Sequence, residues 1–258
     1  MSPRAIETLR SVDMILAEDT RHAGLLLKRL AISTPMQAFH EHNERRMTPS
    51  IIRQIQKGET VAVISDAGTP LISDPGCHLV RRVRNVGIRV IPVPGPSAVL
   101  AALTVSGLPS DRFVFEGFLA AKQVARRRQI KQLREEPRTM IFFEAPHRIL
   151  HCITDMVEIF GPNREATIAR ELTKVYESLY SNTLEHLRCW LAANQNSCKG
   201  EIALVVSGAE RKSTSSDEAR QVVEVLRKYL PPRQAAAVAA ELTNVRKNAL
   251  YRLTYSHD

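Results

Sequence analysis

No run in this 258-residue chain approaches the ~20 consecutive apolar residues that a membrane span needs. The opening stretch MSPRAIETLR lacks the apolar centre of a secretory signal peptide. Cys77, Cys152, Cys189 and Cys198 are scattered and form no C-x-x-C pair, which removes the usual signs of a zinc site or a disulfide framework. These absences together point to a reducing cytoplasm and to no membrane partner. G-x-G-x-x-G and G-x-x-x-x-G-K-[ST] are both missing, so dinucleotide and P-loop chemistry lose their main support. His40-Glu41-His42-Asn43-Glu44 has no second His at the H-E-x-x-H spacing, and is expected to be a polar loop without metal. Aromatic residues are only 5% of the chain, so base stacking is expected to be a minor term in any nucleic-acid contact.

Positive charge, by contrast, is in excess. The net charge is +9, which points to a polyanionic partner. Residues 122–134 (KQVARRRQIKQLR) hold Lys122, Arg126, Arg127, Arg128, Lys131 and Arg134 without a single acid. A solvated helix face would interleave acids, so this stretch reads as a phosphate-contacting surface.

Short apolar strands alternate with amphipathic helical stretches. Strands are expected at residues 14–17, 61–64, 90–93, 140–143, 167–169 and 202–206. Helical spacing at 50–56 and 78–84 closes at Lys57-Gly58 and Val86-Gly87. That alternation predicts an α/β fold with largely parallel sheets. The turn-forming Gly107-Leu108-Pro109-Ser110-Asp111 separates an α/β domain over 1–110 from a second over 111–209. The polar stretch ERKSTSSD (210–217) is a linker, and 217–258 forms a small helical tail. Its composition suits a helix-turn-helix module and a capping bundle equally.

Three of the strand ends carry unusual decoration. The first strand runs into Glu18-Asp19-Thr20-Arg21-His22, the second into Ser65-Asp66-Ala67-Gly68-Thr69-Pro70, the third into Pro94-Gly95-Pro96-Ser97-Ala98. Ligands of open α/β sheets sit outside the carboxyl ends of strands, so these three outline one pocket. Small residues there let a ligand approach backbone N–H and C=O groups, while the prolines stiffen the walls.

Eight segments follow one another in an order that carries a resemblance: VDMILAEDTR (12–21), SDAGTP (65–70), Asp74-Pro75-Gly76, Pro92 to Ala98, LPSDRF (108–113), FEAPHR (143–148), ARELTK (169–174) and Lys199-Gly200-Glu201. The chain resembles the bacterial small-subunit ribosomal RNA cytidine 2′-O-methyltransferases, which belong to the tetrapyrrole-methylase-like S-adenosylmethionine enzymes. The resemblance implies two α/β domains with the cofactor in the cleft between them, a small helical C-terminal domain and a homodimer. It further implies that S-adenosylmethionine meets Asp66, Ala67, Gly68, Thr69, Ile72, Ser97, Ala98, Glu144 and Ala145, and that the partner is small-subunit rRNA or the assembled small subunit. Members of the family open with a strand and a Pro-Ile-Gly-Asn-Leu-type loop before the stretch matching Ser2 to Ala5. This sequence starts after it, so one wall of the pocket is expected to be missing and cofactor binding weakened.

An activated sulfonium methyl asks the protein mainly for alignment of a ribose 2′-hydroxyl, which explains the lack of a strong nucleophile. A base would assist, and Glu18, Asp19 and His147 stand at strand ends for that role. Arg21, Arg126, Arg127, Arg128, Arg148, Arg170, Lys174, Arg246, Lys247 and Arg252 are expected to contact phosphates. Methylation of a tetrapyrrole leaves the basic stretch and the tail without a purpose. An RNA-binding relative whose pocket has decayed is the third reading.

Overall fold

The structure, a computed structural model, describes residues 1–194, 199–210, 216–243, 245 and 247–253, with the side chains of 216–218, 252 and 253 excepted. It divides into two compact units, Met1–Ala209 and Glu210–Asp258.

The first unit contains two sheets. Helix α1 (Pro3–Ser11) starts at Ser2, whose hydroxyl accepts from Ala5 N, with Pro3 in the first turn where its missing N–H costs nothing. Strand β1 (Met14–Ala17) follows and becomes the centre of a parallel sheet in the order β2 (Met36–Ala38), β1, β3 (Val61–Ile64). Because strand side chains alternate, Leu16, Val61 and Val63 pack on one face with Met47 and Ile51 of α3 (Glu41–Gln56) and Leu79 and Val83 of α4 (Cys77–Asn85). Ile15, Ala62 and Ile64 pack on the other with Leu9 and with Leu27 of α2 (Thr20–Arg29). A two-sided apolar strand of this kind is the mark of a covered parallel sheet.

The second sheet runs β4 (Phe113–Phe118), β5 (Thr139–Glu144), β8 (Ile202–Val206), β6 (Glu165–Arg170), β7 (Ser178–Thr183). Met140, Phe142, Ile168, Leu204 and Val206 enclose a core with α7 (Ile149–Phe160) and α8 (Leu184–Ala193). The opposite face, through Ile141, Ala169, Ala203 and Val205, receives Val99, Ala102 and Leu103 of α5 (Ala98–Ser106). Helix α5 therefore leaves the first sheet's loops and roofs the second sheet, which joins the two halves. Helix α6 (Gln123–Gln132) lies against α7.

Several expectations change. Only β4 and β5 pair in parallel in the second sheet; the other three pairings are antiparallel. Residues 90–93 form no strand: Pro92 donates no ladder bond, and no strand among the described residues lies alongside. His40 to Glu44 is the start of α3, not a loop, with Asn43 Oδ1 accepting from His40 N at 2.9 Å.

In the second unit, α9 (Ser216–Arg227), α10 (Pro232–Thr243) and α11 (Lys247–Leu253) close around Ala219, Val223, Ala236, Ala239 and Leu250. The small alanines allow the close helix approach that so short a bundle needs. Among the described residues no helix is long and apolar enough to cross a membrane, and no group of His, Cys, Asp and Glu gathers as a metal site.

Candidate functional site: a cleft of strand ends

The carboxyl ends of β1 and β3 lead into loops that are tied together. Asp19 N donates to Asp66 Oδ1 at 3.3 Å, and Thr69 Oγ1 donates to Pro96 O at 2.7 Å. Gly68 sits at φ 72°, and a Cβ there would lie 3.8 Å from Ala98 N, so two backbones meet with little between them. Ser97 opens α5 as its N-cap. Beyond Thr69 the chain passes through the left-handed region at Leu71 (φ 74°), Ser73 (65°) and Gly76 (126°). Non-glycine residues keep such angles only where surrounding contacts hold them, and such positions cluster at ligand-binding loops. Glu44 of α3 supplies one hold, its Oε1 accepting from Gly76 N at 3.1 Å and Leu79 N at 3.0 Å.

The second sheet brings its own loops to this place. The register Glu144↔Ile202↔Arg170 sets the carboxyl ends of β5 and β6 and the start of β8 in one row. A Cβ on Gly117, at the β4 bulge, would lie 3.2 Å from Ser73 Oγ, so the 71–76 loop reaches across to this sheet.

The charged groups divide sharply. Asp19 caps α2, accepting from Arg21 N at 2.8 Å, and its carboxylate is gripped by the Arg21 side chain at 2.6 and 3.1 Å. Those bonds to Arg21 hold its carboxyl well below the usual range, so it is a poor proton acceptor. Glu18 is pushed up, first by burial and then by the Asp66 carboxylate. Asp74 is pushed up to about 6, chiefly by burial, with Glu18, Asp66 and Glu201 adding repulsion and a Ser65 hydrogen bond opposing it. Sequence reasoning missed Asp74: it sits inside a quoted motif, but eight residues past Asp66, and only the 71–76 bends return it to the cleft. His22 was missed too; its Nδ1 lies 3.6 Å from Asp66 Oδ2 and 3.9 Å from Asp19 Oδ2. His147 is exposed on the turn after β5.

Asp66, Ala67, Thr69 and Ile72 are exposed, and Gly68, Ser97 and Ala98 are half-buried. Glu144 differs. It is 2% exposed, and its carboxylate accepts from Ala145 N at 2.8 Å and from Arg148, whose guanidinium lies 3.1 Å away. It holds the 144–148 turn and presents Ala145; it does not itself face outward.

Of the expected phosphate contacts, Arg126 is turned inward, 4% exposed, and ion-paired with Asp155 at 2.7 Å. That removes it from an RNA surface. Arg127 is shared between Asp155 and Glu158, and Arg148 is half-buried on Glu144 and Leu119 O. Arg21, Arg128 and Lys247 are exposed. Arg170 bonds Lys199 O, and Lys174 bridges Glu171 and Glu201. Arg246 and the side chain of Arg252 lie outside the described residues.

A cleft lined by small residues, with bent glycine-bearing loops and several carboxylates, suits a flat ligand with a cationic centre. The fold points the same way: the family of Tetrapyrrole (Corrin/Porphyrin) Methylases matches residues 1–188, and the RsmI C-terminal HTH domain matches 213–254. Diphthine synthase shares the fold at a TM-score of 0.62 and 14% identity, over 80% of this chain and 84% of that one. Uroporphyrin-III C-methyl transferase from Thermus thermophilus, complexed with S-adenyl homocysteine, gives 0.54 and 15% over 80% and 90%. The class is thus a methylase of the tetrapyrrole methylase fold. Within it, the Ribosomal RNA small subunit methyltransferase I of Pseudomonas aeruginosa is 51% identical over 255 residues, 98% of this chain and 90% of that protein. This chain belongs to the ribosomal RNA small subunit methyltransferase I family.

Proposed function

We propose that the protein transfers a methyl group from S-adenosylmethionine to the ribose 2′-hydroxyl of a cytidine in small-subunit ribosomal RNA. The observation that carries this is the joining of the 65–76 and 94–98 loops into one cleft, in a chain 51% identical over 98% of its length to a small-subunit rRNA methyltransferase. The residues present fit the cofactor. Gly68 and Ala98 leave backbone groups open, and the carboxylates of Glu18, Asp66 and Asp74 complement a sulfonium and an ammonium. Bound there, S-adenosylmethionine would supply a methyl already activated for displacement.

The chain's own part is alignment and proton handling. Asp66 to Thr69, Ser97, Ala98 and Ala145 offer main-chain donors and acceptors, and Ile72 an apolar wall. A hydroxyl attacking in line must lose its proton, and Asp74 Oδ is the best-placed acceptor: half-buried, raised to about 6, and ionised at neutral pH. Asp19 is committed to Arg21 and to the start of α2. Exposed cations such as Arg21 and Arg128 would engage phosphates and so orient the RNA. We propose a homodimer as the working form; the exposed Leu100 and Val105 of α5 support a second copy as neighbour.

Transfer of tritiated methyl to isolated small subunits, free rRNA and porphyrin precursors tests the reading. Label recovered as 2′-O-methylcytidine after nuclease digestion is expected. Label on a base or on a porphyrin would refute it.

A further inference from the structure

Residues 171–177 leave the carboxyl end of β6 and turn back into β7, and their backbone is held firmly. Glu171 N donates to Glu201 O at 2.9 Å and Glu201 N to Glu171 Oε1 at 2.7 Å. Lys174 N donates to Glu171 O at 3.0 Å, Glu177 N to Lys174 O at 3.2 Å, and Thr173 N to the Glu177 carboxylate. Lys174 Nζ closes the base of the loop, 3.2 Å from Glu171 and 2.9 Å from Glu201. Within this frame Glu171 and Thr173 sit at φ 50° and 64°, angles that only such over-determined surroundings maintain.

What the frame displays is apolar. Val175 is 93% exposed, Tyr176 72% and Leu179 45%, three large apolar side chains within five residues. A fixed backbone that turns such side chains away from every core marks a contact surface, since nothing in the fold is served by their position. Two observations say what covers it. The loop base adjoins the cleft, because Arg170 at the end of β6 lies in register with Ile202 and Glu144, whose strand leads into the Ala145 turn. Arg170, bonded to Lys199 O, and Lys174, paired with Glu171 and Glu201, are committed at the loop base just as Glu171 and Glu177 are, so what the tip offers a partner is an uncharged apolar face. An apolar ring on a firmly held loop beside a cleft suits a flat, neutral group such as an unstacked base.

Resting on the methyl-transfer reading above, we infer that Tyr176 is a stacking platform for an unpaired nucleobase adjoining the nucleotide whose ribose enters the cleft. Every base has a π-face, so the platform accepts single-stranded RNA without reading its sequence and rejects a closed duplex, whose bases are already stacked. The low aromatic content of the chain is compatible with this, because one placed ring suffices.

The test is fluorescence anisotropy of a labelled short single-stranded oligoribonucleotide, and of a matched duplex, against the full chain and its Tyr176→Ala and Tyr176→Phe variants. Tyr176→Ala is expected to weaken single-strand binding by at least about fivefold, and Tyr176→Phe to stay within about twofold of the parent. Duplex binding and the salt slope of both variants are expected to match the parent, since no phosphate contact is lost. Equal single-strand affinity for Tyr176→Ala and the parent overturns the inference. So does a change of sedimentation by Tyr176→Ala, which would make the tip a contact between copies of this chain. If the parent chain neither binds these RNAs nor transfers methyl to isolated small subunits, the methyl-transfer reading itself falls.

Discussion

Asp74 reaches the cleft only because the backbone bends through the left-handed region at Leu71 and Ser73 just before it. A carboxylate placed there meets burial and the charges of Glu18, Asp66 and Glu201, and its pKa rises from the ordinary 3.8 to about 6. The folded protein therefore binds this proton more tightly than the unfolded chain between those values. That contribution to stability is complete at low pH and is lost as pH rises through about 6. Asp74→Asn is expected to raise the melting temperature by about 2–4 °C at pH 7.5 and much less at pH 4.5. The same change is expected to lower methyl-transfer turnover about 100-fold or more, while the parent's rate climbs through pH 6. An unaltered rate in the variant would move the proton to Glu18. Arg126 and Arg128 give a second residue-scale contrast, being neighbours in sequence with opposite surroundings. Arg126→Ala removes the shortest bonds to the buried Asp155 carboxylate, leaving it to Arg127 and Gln123, and is expected to cost about 1–3 kcal/mol in urea unfolding, with the salt slope of RNA binding unchanged. Arg128→Ala is expected to do the reverse, leaving stability within about 0.5 kcal/mol and lowering the slope by about 0.7.

At the scale of elements, the cleft loops depend on helices remote from them in sequence. Glu44, on α3, caps the start of α4 by accepting from Gly76 N and Leu79 N. Glu44→Ala leaves those part-buried donors without that acceptor and is expected to cost about 1–3 kcal/mol. Amide exchange at Gly76 and Leu79 is expected to speed up, and unchanged exchange would show the loop to be self-supporting. This dependence marks where sequence reading stops. The loops that are tied together were readable as a group, because an apolar run ending in small, bent residues shows in consecutive positions, as at Val61 to Pro70. The Glu44 cap and the approach of Glu201 to Asp74 span 32 and well over 100 positions, and are set by helix placement and sheet register. Strand β7 was hidden for another reason: SLYSNT sits at an exposed sheet edge and shows little apolar alternation. Residues 90–93 failed in the opposite sense, for β-branched residues favour extended backbone but a ladder also needs a partner. His40 to Glu44 concealed a helix start, since Asn43 bonding back to His40 N is a capping pattern and not a metal one.

Across the whole molecule, charge and compactness separate two tasks. Nine of the 36 lysines and arginines and six of the 27 acids lie from Glu210 onward, which leaves +3 on those 49 residues and +6 on the preceding 209. The positive excess per residue is therefore about twice as high in the tail, which matches a helix-turn-helix family model, while the cleft lies wholly in Met1–Ala209. Each unit has an apolar cluster of its own, so a chain ending at Ala209 is expected to remain folded, with a cooperative thermal transition. If the tail contributes phosphate contacts, each one lost takes about 0.7 from the slope of log affinity against log salt for single-stranded RNA. The shortened chain is accordingly expected to bind small subunits more weakly and with a shallower slope, yet to bind S-adenosylmethionine as the full chain does in calorimetric titration. An unchanged slope would confine RNA recognition to the α/β unit and give the tail a structural role. Weakened cofactor binding would instead mean that the tail supports the cleft, because a cofactor held by the 65–76 and 94–98 loops has no direct need of residues beyond 209.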